Sequence, residues 1–231
     1  MVNKADIIII IPAYNEENSI ELLINDIPKD IIREVIVVNN NSNDSTSVVA
    51  KSAGAKVLEE KRQGYGYACL KGMEYLKNLA DKPDIVVFLD ADYSDYPEET
   101  KQLVAPILNG YAELVIGSRA LGDRKRGSMT AQQLVGNWLA TKLIKLFYGV
   151  VYTDLGPFRA IKYESLLKLN MCDQTYGWTV EMQVKAAQQK LKCAEIPVKY
   201  RKRIGKSKVT GTIKGTIMAG YKIIFTIFRY L

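Results

Sequence analysis

Two aspartates one residue apart, Asp90 and Asp92, follow the apolar run Val86-Val87-Phe88-Leu89. A buried strand would use such a run and emerge into solvent at Asp90, bringing both carboxylates out close together. Side by side they repel unless a cation lies between them. A hard divalent ion, Mg2+ or Mn2+, takes oxygen ligands of this kind and bridges to phosphate. An Asp-Ala-Asp segment can equally cap the turn that follows a strand. The chain contains no histidine. His-based triads and His-ligated zinc are therefore excluded, and catalysis must run on carboxylates, hydroxyls, Lys, Arg or a metal.

The elements that would position these groups are legible from hydrophobic patterning. Residues 6–11 read as a fully buried strand ended by Pro12, with a helix from 17 or 18 to 27. Strand 34–38, helix 44–53 with Gly54 as its stop, strand 56–58, helix 65–79 and strand 84–89 follow. Helix 97–108 starts near a proline, and strand 113–116 comes next. Strand–helix alternation with near-continuous apolar strands predicts a mostly parallel sheet covered on both faces. Ligands of such sheets bind beyond the carboxyl ends of the strands. The polar segments 12–16, 39–46 and 90–95 each follow a strand and should share one rim. Beyond Arg119 come a basic loop (121–129), an apolar helix (130–148) and a strand-like stretch (152–161). Helix 177–190, strand 192–200, a basic loop (201–208) and a last helix complete the chain. One α/β domain spanning 1–231 is expected, with a nucleotide-binding half (1–119) and an acceptor half (120–231).

The 231 residues carry a net charge of +7, unevenly spread. Residues 190–231 hold eleven Lys/Arg and one acid, Glu195, a charge of +10, which leaves about −3 for the rest. A basic end suits nucleic acid, anionic lipid or a phosphorylated ligand, and also an ordinary solvated surface. The acidic strand-end rim opposes the nucleic-acid reading. The three cysteines, Cys69, Cys172 and Cys193, are widely spaced, as in a reduced, cytoplasmic protein. No signal-peptide pattern opens the chain, and no run of about 18 apolar residues marks a membrane span.

Ile11-Pro12-Ala13-Tyr14-Asn15-Glu16 before a helix, with Asp90-Ala91-Asp92 after a later strand, resembles the family 2 glycosyltransferases of GT-A fold. The likeness is greatest to the polyprenyl-phosphate sugar transferases, such as dolichyl-phosphate mannosyltransferase. Residues 37–46, Val-Val-Asn-Asn-Asn-Ser-Asn-Asp-Ser-Thr, align with the family's Val-Val-Asp-Asp-x-Ser-x-Asp-x-Thr. Arg62-Gln63-Gly64-Tyr65-Gly66, Gly117-Ser118-Arg119 and Gly156-Pro157-Phe158-Arg159 resemble further family segments. Two departures stand out. Asn39-Asn40 replaces an Asp pair that reads the base, and Pro157 interrupts Gly-Phe-Arg.

The resemblance implies an inverting transfer of a sugar from a UDP- or GDP-type donor. Mg2+ or Mn2+ on Asp90 and Asp92 would neutralise the diphosphate. Pro12, Tyr14, Asn15, Glu16, Asn39 and Asn40 would line the nucleoside, although Glu16 could instead open the following helix. Arg62 and Gly64 would approach base or phosphate. Arg119 would contact a phosphate, pair with Asp90 or Asp154, or do both.

For the acceptor, a hydroxyl needs a general base, whereas a phosphate needs Arg or Lys. Asp154 and Glu181 are the available acids, and Glu181 could equally pair with Arg159. Arg203, Lys206 and Lys208 resemble the basic loop of the lipid-phosphate subgroup. In the last helix, Ile213, Ile217, Tyr221, Ile224, Phe228 and Leu231 recur at helical spacing. That stripe either packs on the core or lies on the inner face of a membrane. Four readings stay open: transfer to a polyprenyl phosphate, transfer to a soluble or polysaccharide hydroxyl, remotely a sugar-phosphate nucleotidyltransferase, and a non-catalytic nucleic-acid binder, which the acidic rim opposes.

Overall fold

A computed structural model of the chain describes residues 5–205 and 213–231, with side chains of the last helix from Met218 onward. Lys206 and Lys208, and the side chains of Ile213 and Ile217, lie outside the described residues. The chain runs β1 (Ile7–Ala13), α1 (Ile20–Asp26), β2 (Glu34–Asn39), α2 (Thr46–Ser52), β3 (Lys56–Glu59), α3 (Tyr65–Asn78) and β4 (Ile85–Phe88). A 3₁₀ turn at Pro97–Glu99 leads into α4 (Thr100–Leu108), β5 (Leu114–Ser118) and α5 (Ala131–Tyr148). Then come β6 (Arg159–Lys162), α6 (Tyr163–Lys168), α7 (Trp178–Gln188), β7 (Cys193–Pro197) and α8 (Ile213–Arg229).

The strands form one seven-stranded sheet in the order β3-β2-β1-β4-β6-β5-β7. β6 is antiparallel to both its neighbours, and every other pairing is parallel. Because β6 reverses twice, β5 and β7 point the same way as β1, β2 and β4. The carboxyl ends of all five therefore lie on one rim. The sequence expectation of a mostly parallel α/β sheet holds.

The isoleucine run of β1 explains why both faces are covered. Ile8 and Ile10 enter a core with α3, α5 and α7, while Ile7, Ile9 and Ile11 enter the opposite core with α1 and α4. Alternation along a strand sends neighbours to opposite faces, so an unbroken apolar run needs helices on each. Burying each such side chain contributes about 1.5–3 kcal/mol.

Three local readings are corrected. Pro12 does not end β1, because the strand continues to Ala13 and pairs with β2. The ladder to β4 stops at Ile10–Phe88, so one side of β1 is already open where the proline lacks its N–H. α1 starts at Ile20, not 17 or 18. The stretch 152–158 is irregular, since Gly156 and Pro157 interrupt a ladder and the N–H groups of Thr153 and Asp154 go to the Glu195 carboxylate instead. The short helix α6 gave no clear period in the sequence.

α5 is the best-defined helix from local chemistry. Thr130 accepts from the Gln133 N–H and Gln133 answers with its side chain, while Gly149 closes the helix at φ 72°. At α3, Gly66 meets the facing backbone closely. A Cβ there would lie 2.0 Å from the Asp173 carbonyl oxygen. Gly66→Ala should therefore destabilise the protein by about 2 kcal/mol in urea unfolding, against the roughly 1 kcal/mol gain that alanine brings to an unconstrained helix. A neutral or stabilising result would contradict this packing.

Candidate active site

A cleft of about 430 Å³ opens on the strand-end rim. Pro12, Ala13, Tyr14 and Glu16 from the end of β1 line it, with Asn40 after β2 and Gln63, Gly64, Tyr65 and Ala68 at the start of α3. Asp90, Ala91 and Asp92 after β4 join them, with Thr175 and Tyr176 from the loop before α7 and Arg203 from the basic loop. The parallel topology brings the strand-end segments together, and packing of α3 against the 173–175 backbone adds Thr175 and Tyr176.

Asp92 is tightly held. Its Oδ1 accepts the Ser94 N–H at 2.9 Å, and its Oδ2 lies 3.1 Å from Arg203 Nη2. The same guanidinium reaches Glu16 Oε1 at 3.3 Å. Asp90 differs. Its Oδ1 is buried with no hydrogen-bond partner among the described residues, as is the neighbouring Tyr65 hydroxyl. Burial, then the Asp92 charge, push the Asp90 carboxyl up to about 7, against the pull of Tyr65, Arg203 and Arg119. Asp95, fully buried with both oxygens unpartnered, is raised well above the usual range by burial and then by Asp90. Tyr93, between them, has φ 61°, a strained value for a bulky residue and of the kind found at functional sites.

This arrangement fits a divalent cation. An orphaned buried carboxylate oxygen beside a second carboxylate is what an added cation would satisfy. Among the described residues no three Cys, Asp or Glu side chains converge as a complete cage. Mg2+ and Mn2+ do not need one, because water and substrate phosphate complete their shell.

Other expected residues take different positions. Arg119 makes a two-pronged ion pair with Asp154, Nε–Oδ2 and Nη2–Oδ1 both at 2.7 Å, and lies over the Tyr200 ring. Burial opposes its charge, but Asp154 outweighs that and raises the Arg119 pKa. Of the pairings expected for Arg119, Asp154 is the one formed. Both Asp154 oxygens are thereby engaged. Arg62 forks onto Glu60 instead of entering the cleft. Asn39 spends its amide on Glu59 and the Ser42 N–H. Asn40 receives the Gly64 N–H at 2.7 Å and donates to the Arg62 carbonyl, pinning the loop before α3. Asn15, at φ 54°, ties the β1 turn to the loop after β2 through the Ser42 hydroxyl and the Asn43 N–H. Glu16 precedes α1, so it does not sit in that helix's first turn.

Glu181 lies away from the cleft lining and does not pair with Arg159. Its carboxylate is fully buried and faces α8, not the cleft. It accepts from the Asp173 N–H at 2.7 Å and the Tyr230 hydroxyl at 2.7 Å, and pairs with Lys185 at 2.7 Å. Arg159 does not touch it. The guanidinium donates to the carbonyls of Leu155, Gly156 and Thr179, bracing its own loop. Arg201, in the basic loop, clamps the Asp92–Asp95 turn by donating to the Tyr93 and Asp95 carbonyls, with Tyr93 and Tyr96 on its faces. Asp95 closes the 90–95 segment expected on the rim, but Tyr65, Thr175 and Tyr176 have no role assigned from the sequence. The proximity of those three to Asp90 or the cleft comes from tertiary packing.

Residues 8–169 match the family described as Glycosyl transferase family 2. The chain belongs to that family. A glycosyltransferase of Mycobacterium tuberculosis is 34% identical over 212 residues, 91% of this chain and 93% of its own. A dolichyl-phosphate hexose transferase of Haloferax volcanii is 30% identical, covering 88% of this chain and 86% of its own. The fold is shared with glucosyl-3-phosphoglycerate synthase of Mycobacterium tuberculosis, solved with Mn2+, UDP and phosphoglyceric acid. That match has a TM-score of 0.76 at 23% identity, over 98% of this chain and 78% of the other. This glycosyltransferase thus has the GT-A architecture expected from its motifs, and family membership displaces the nucleotidyltransferase alternative.

Glu181 is therefore expected to act on stability. Its pKa is lowered because hydrogen bonds from Lys185, Cys172, Asp173 and Tyr230 outweigh burial. A depressed folded pKa stabilises the protein above the unfolded value near 4.5 and loses that contribution as pH falls through the folded value. Glu181→Gln should cost about 3 kcal/mol at pH 7 by leaving Lys185 buried without its partner. The gap to wild type should close on acidification below about pH 4.5 in thermal melts, and the folded variant should keep its turnover.

Proposed function

We propose that this glycosyltransferase moves a hexose from a nucleoside-diphosphate sugar to the phosphate of a polyprenyl-type lipid, with inversion at the anomeric carbon. The observation that carries the donor half is the orphaned Asp90 oxygen beside Asp92 on the cleft wall. A divalent ion, Mg2+ or Mn2+, held by Asp90 and Asp92 would neutralise the charge that builds on the leaving diphosphate. Tyr14 and Pro12 form an apolar wall for the base, and Glu16 lies within reach of base or ribose. Asn40 acts indirectly, by fixing Gly64 at the mouth of the cleft.

The acceptor reading rests on which acids are free to act as bases. Asp154 is committed on both oxygens to Arg119, and Glu181 is sealed beneath α8. Neither expected base is placed to take a hydroxyl proton. A phosphate acceptor needs none, because it arrives as an anion and requires cations to hold it. Arg119 and Arg203 supply them from the rim, with Lys206 and Lys208 following in the chain. An acceptor phosphate oxygen then attacks the anomeric carbon as the bond to the diphosphate breaks. The Haloferax volcanii relative named for dolichyl phosphate supports this reading. So does one of Methanococcus voltae, 28% identical over 95% of this chain, named for UDP-N-acetylglucosamine and dolichyl phosphate.

Incubation with UDP- and GDP-sugars, a short-chain polyprenyl phosphate and Mn2+ should yield a glycolipid. Chelation should abolish it, and Asp92→Asn should reduce turnover by roughly a thousandfold, the scale of losing transition-state charge stabilisation. Product formed on a soluble hydroxyl acceptor, and none on lipid phosphate with any donor, would refute the acceptor assignment. Asp154→Asn and Arg119→Lys should each lower kcat/KM, and the double variant should be hardly worse than either single one, because the pair acts as a unit. Additive losses would mean that Asp154 has a separate task.

A further inference from the structure

We propose that the outward faces of α5 and α8 together form a plate that docks on an anionic lipid bilayer. This deepens the lipid-phosphate reading and rests on it for the acceptor, while the surface itself is argued from exposure and charge. On α5, Val135, Trp138, Leu139 and Leu146 face outward, Trp138 with 60% of its surface exposed. On α8, Tyr221, Ile224, Phe225 and Phe228 do the same. The described part of the α8 stripe, from Tyr221 onward, therefore does not pack on the core. Ala219, Thr226 and Ile227 provide that contact instead. The two faces are continuous, since Phe147 and Phe228 meet edge-on at 5.1 Å across the seam. Monomers in water rarely leave so large an apolar surface open.

Charge selects the occupant. No acidic residue occurs between Asp123 and Asp154, or anywhere after Glu195. Lys142 and Lys145 stand exposed among the apolar side chains of α5, and Arg229 stands exposed on α8. An apolar face studded with cations and free of acids matches a surface of anionic headgroups over acyl chains. A two-fold contact with a second copy would instead bring these cations towards their own counterparts, with no acid on the plate to pair them. Among the described residues no helix is long and apolar enough to cross a membrane, so the plate lies on the bilayer.

The plate is braced to the cleft from two sides. Asn137, next to Trp138, bonds the Thr153 carbonyl at 3.0 Å and the Leu155 N–H at 2.8 Å, flanking Asp154. Lys222 of α8 pairs with Asp173 at 3.0 Å, just before the cleft residues Thr175 and Tyr176. A docked plate thus holds the sugar-transfer site at a fixed attitude to the surface in which a polyprenyl phosphate resides.

Trp138 offers a direct readout, because the other tryptophan, Trp178, is fully buried. The full chain is mixed with phosphatidylcholine vesicles with and without phosphatidylglycerol, and with vesicles carrying brominated acyl chains. Trp138 emission should shift to the blue and be quenched by bromine only when anionic lipid is present, and Trp138→Phe should remove the response. Lys142→Glu with Lys145→Glu should weaken partitioning by roughly tenfold or more, with unchanged Trp178 emission reporting an intact fold. No Trp138 response to anionic vesicles would overturn the proposal. So would burial of Trp138 on raising protein concentration without vesicles, with a dimer in sedimentation. Vesicle binding without transfer to a soluble short-chain polyprenyl phosphate would uphold the plate and sink the acceptor assignment.

Discussion

Two carboxylates held together at the end of a buried strand, one with an oxygen that no group among the described residues satisfies, impose the main electrostatic constraint on this fold. Removing Asp90 from water beside Asp92 raises its pKa to about 7, the cost of crowding like charges in a poorly solvated place. The surrounding protein contains the strain without relieving it. Ser94 and Arg203 hold Asp92, Arg201 clamps the turn that follows, and Tyr93 is kept at a positive φ. A site with this much unspent charge suits a cation that arrives with its ligand.

The sheet and the rim are linked by one topological fact. With every strand except β6 running the same way, turns far apart in sequence end at one edge. Residues that do not line the cleft still shape it. Asn40 sets the loop before α3, Asp154 aims Arg119, and Arg159 braces the turn carrying Asp154 by donating to three carbonyls. Glu181 of α7 accepts from Tyr230, just past α8, and so ties the two helices together.

Much of this was legible in the sequence because local chemistry set it. The isoleucine run of β1, the apolar stretch of α5 and the apolar run into Asp90 each announce an element or its end. Pro12 misled because proline normally stops a ladder, and only the early end of β4 shows why it is tolerated. The pairing of Arg119 with Asp154 was among the readings open from sequence, but the committed state of both Asp154 oxygens was not. Tyr65, Thr175 and Tyr176 enter the site through the contact of α3 with the 173–175 backbone, a tertiary event without a local signature. Gly64 and Gly66 were the hint, since a side chain on either would run into the 173–174 backbone.

The central claim is that a cation completes the Asp90–Asp92 pair when a nucleoside diphosphate is bound. Anomalous scattering at the manganese edge, from crystals grown with Mn2+ and UDP or GDP, addresses it most directly. A peak between the two carboxylates and in contact with the diphosphate is the expected result. Bound nucleotide with no manganese at that position, and Arg203 still seated on Asp92, would contradict it.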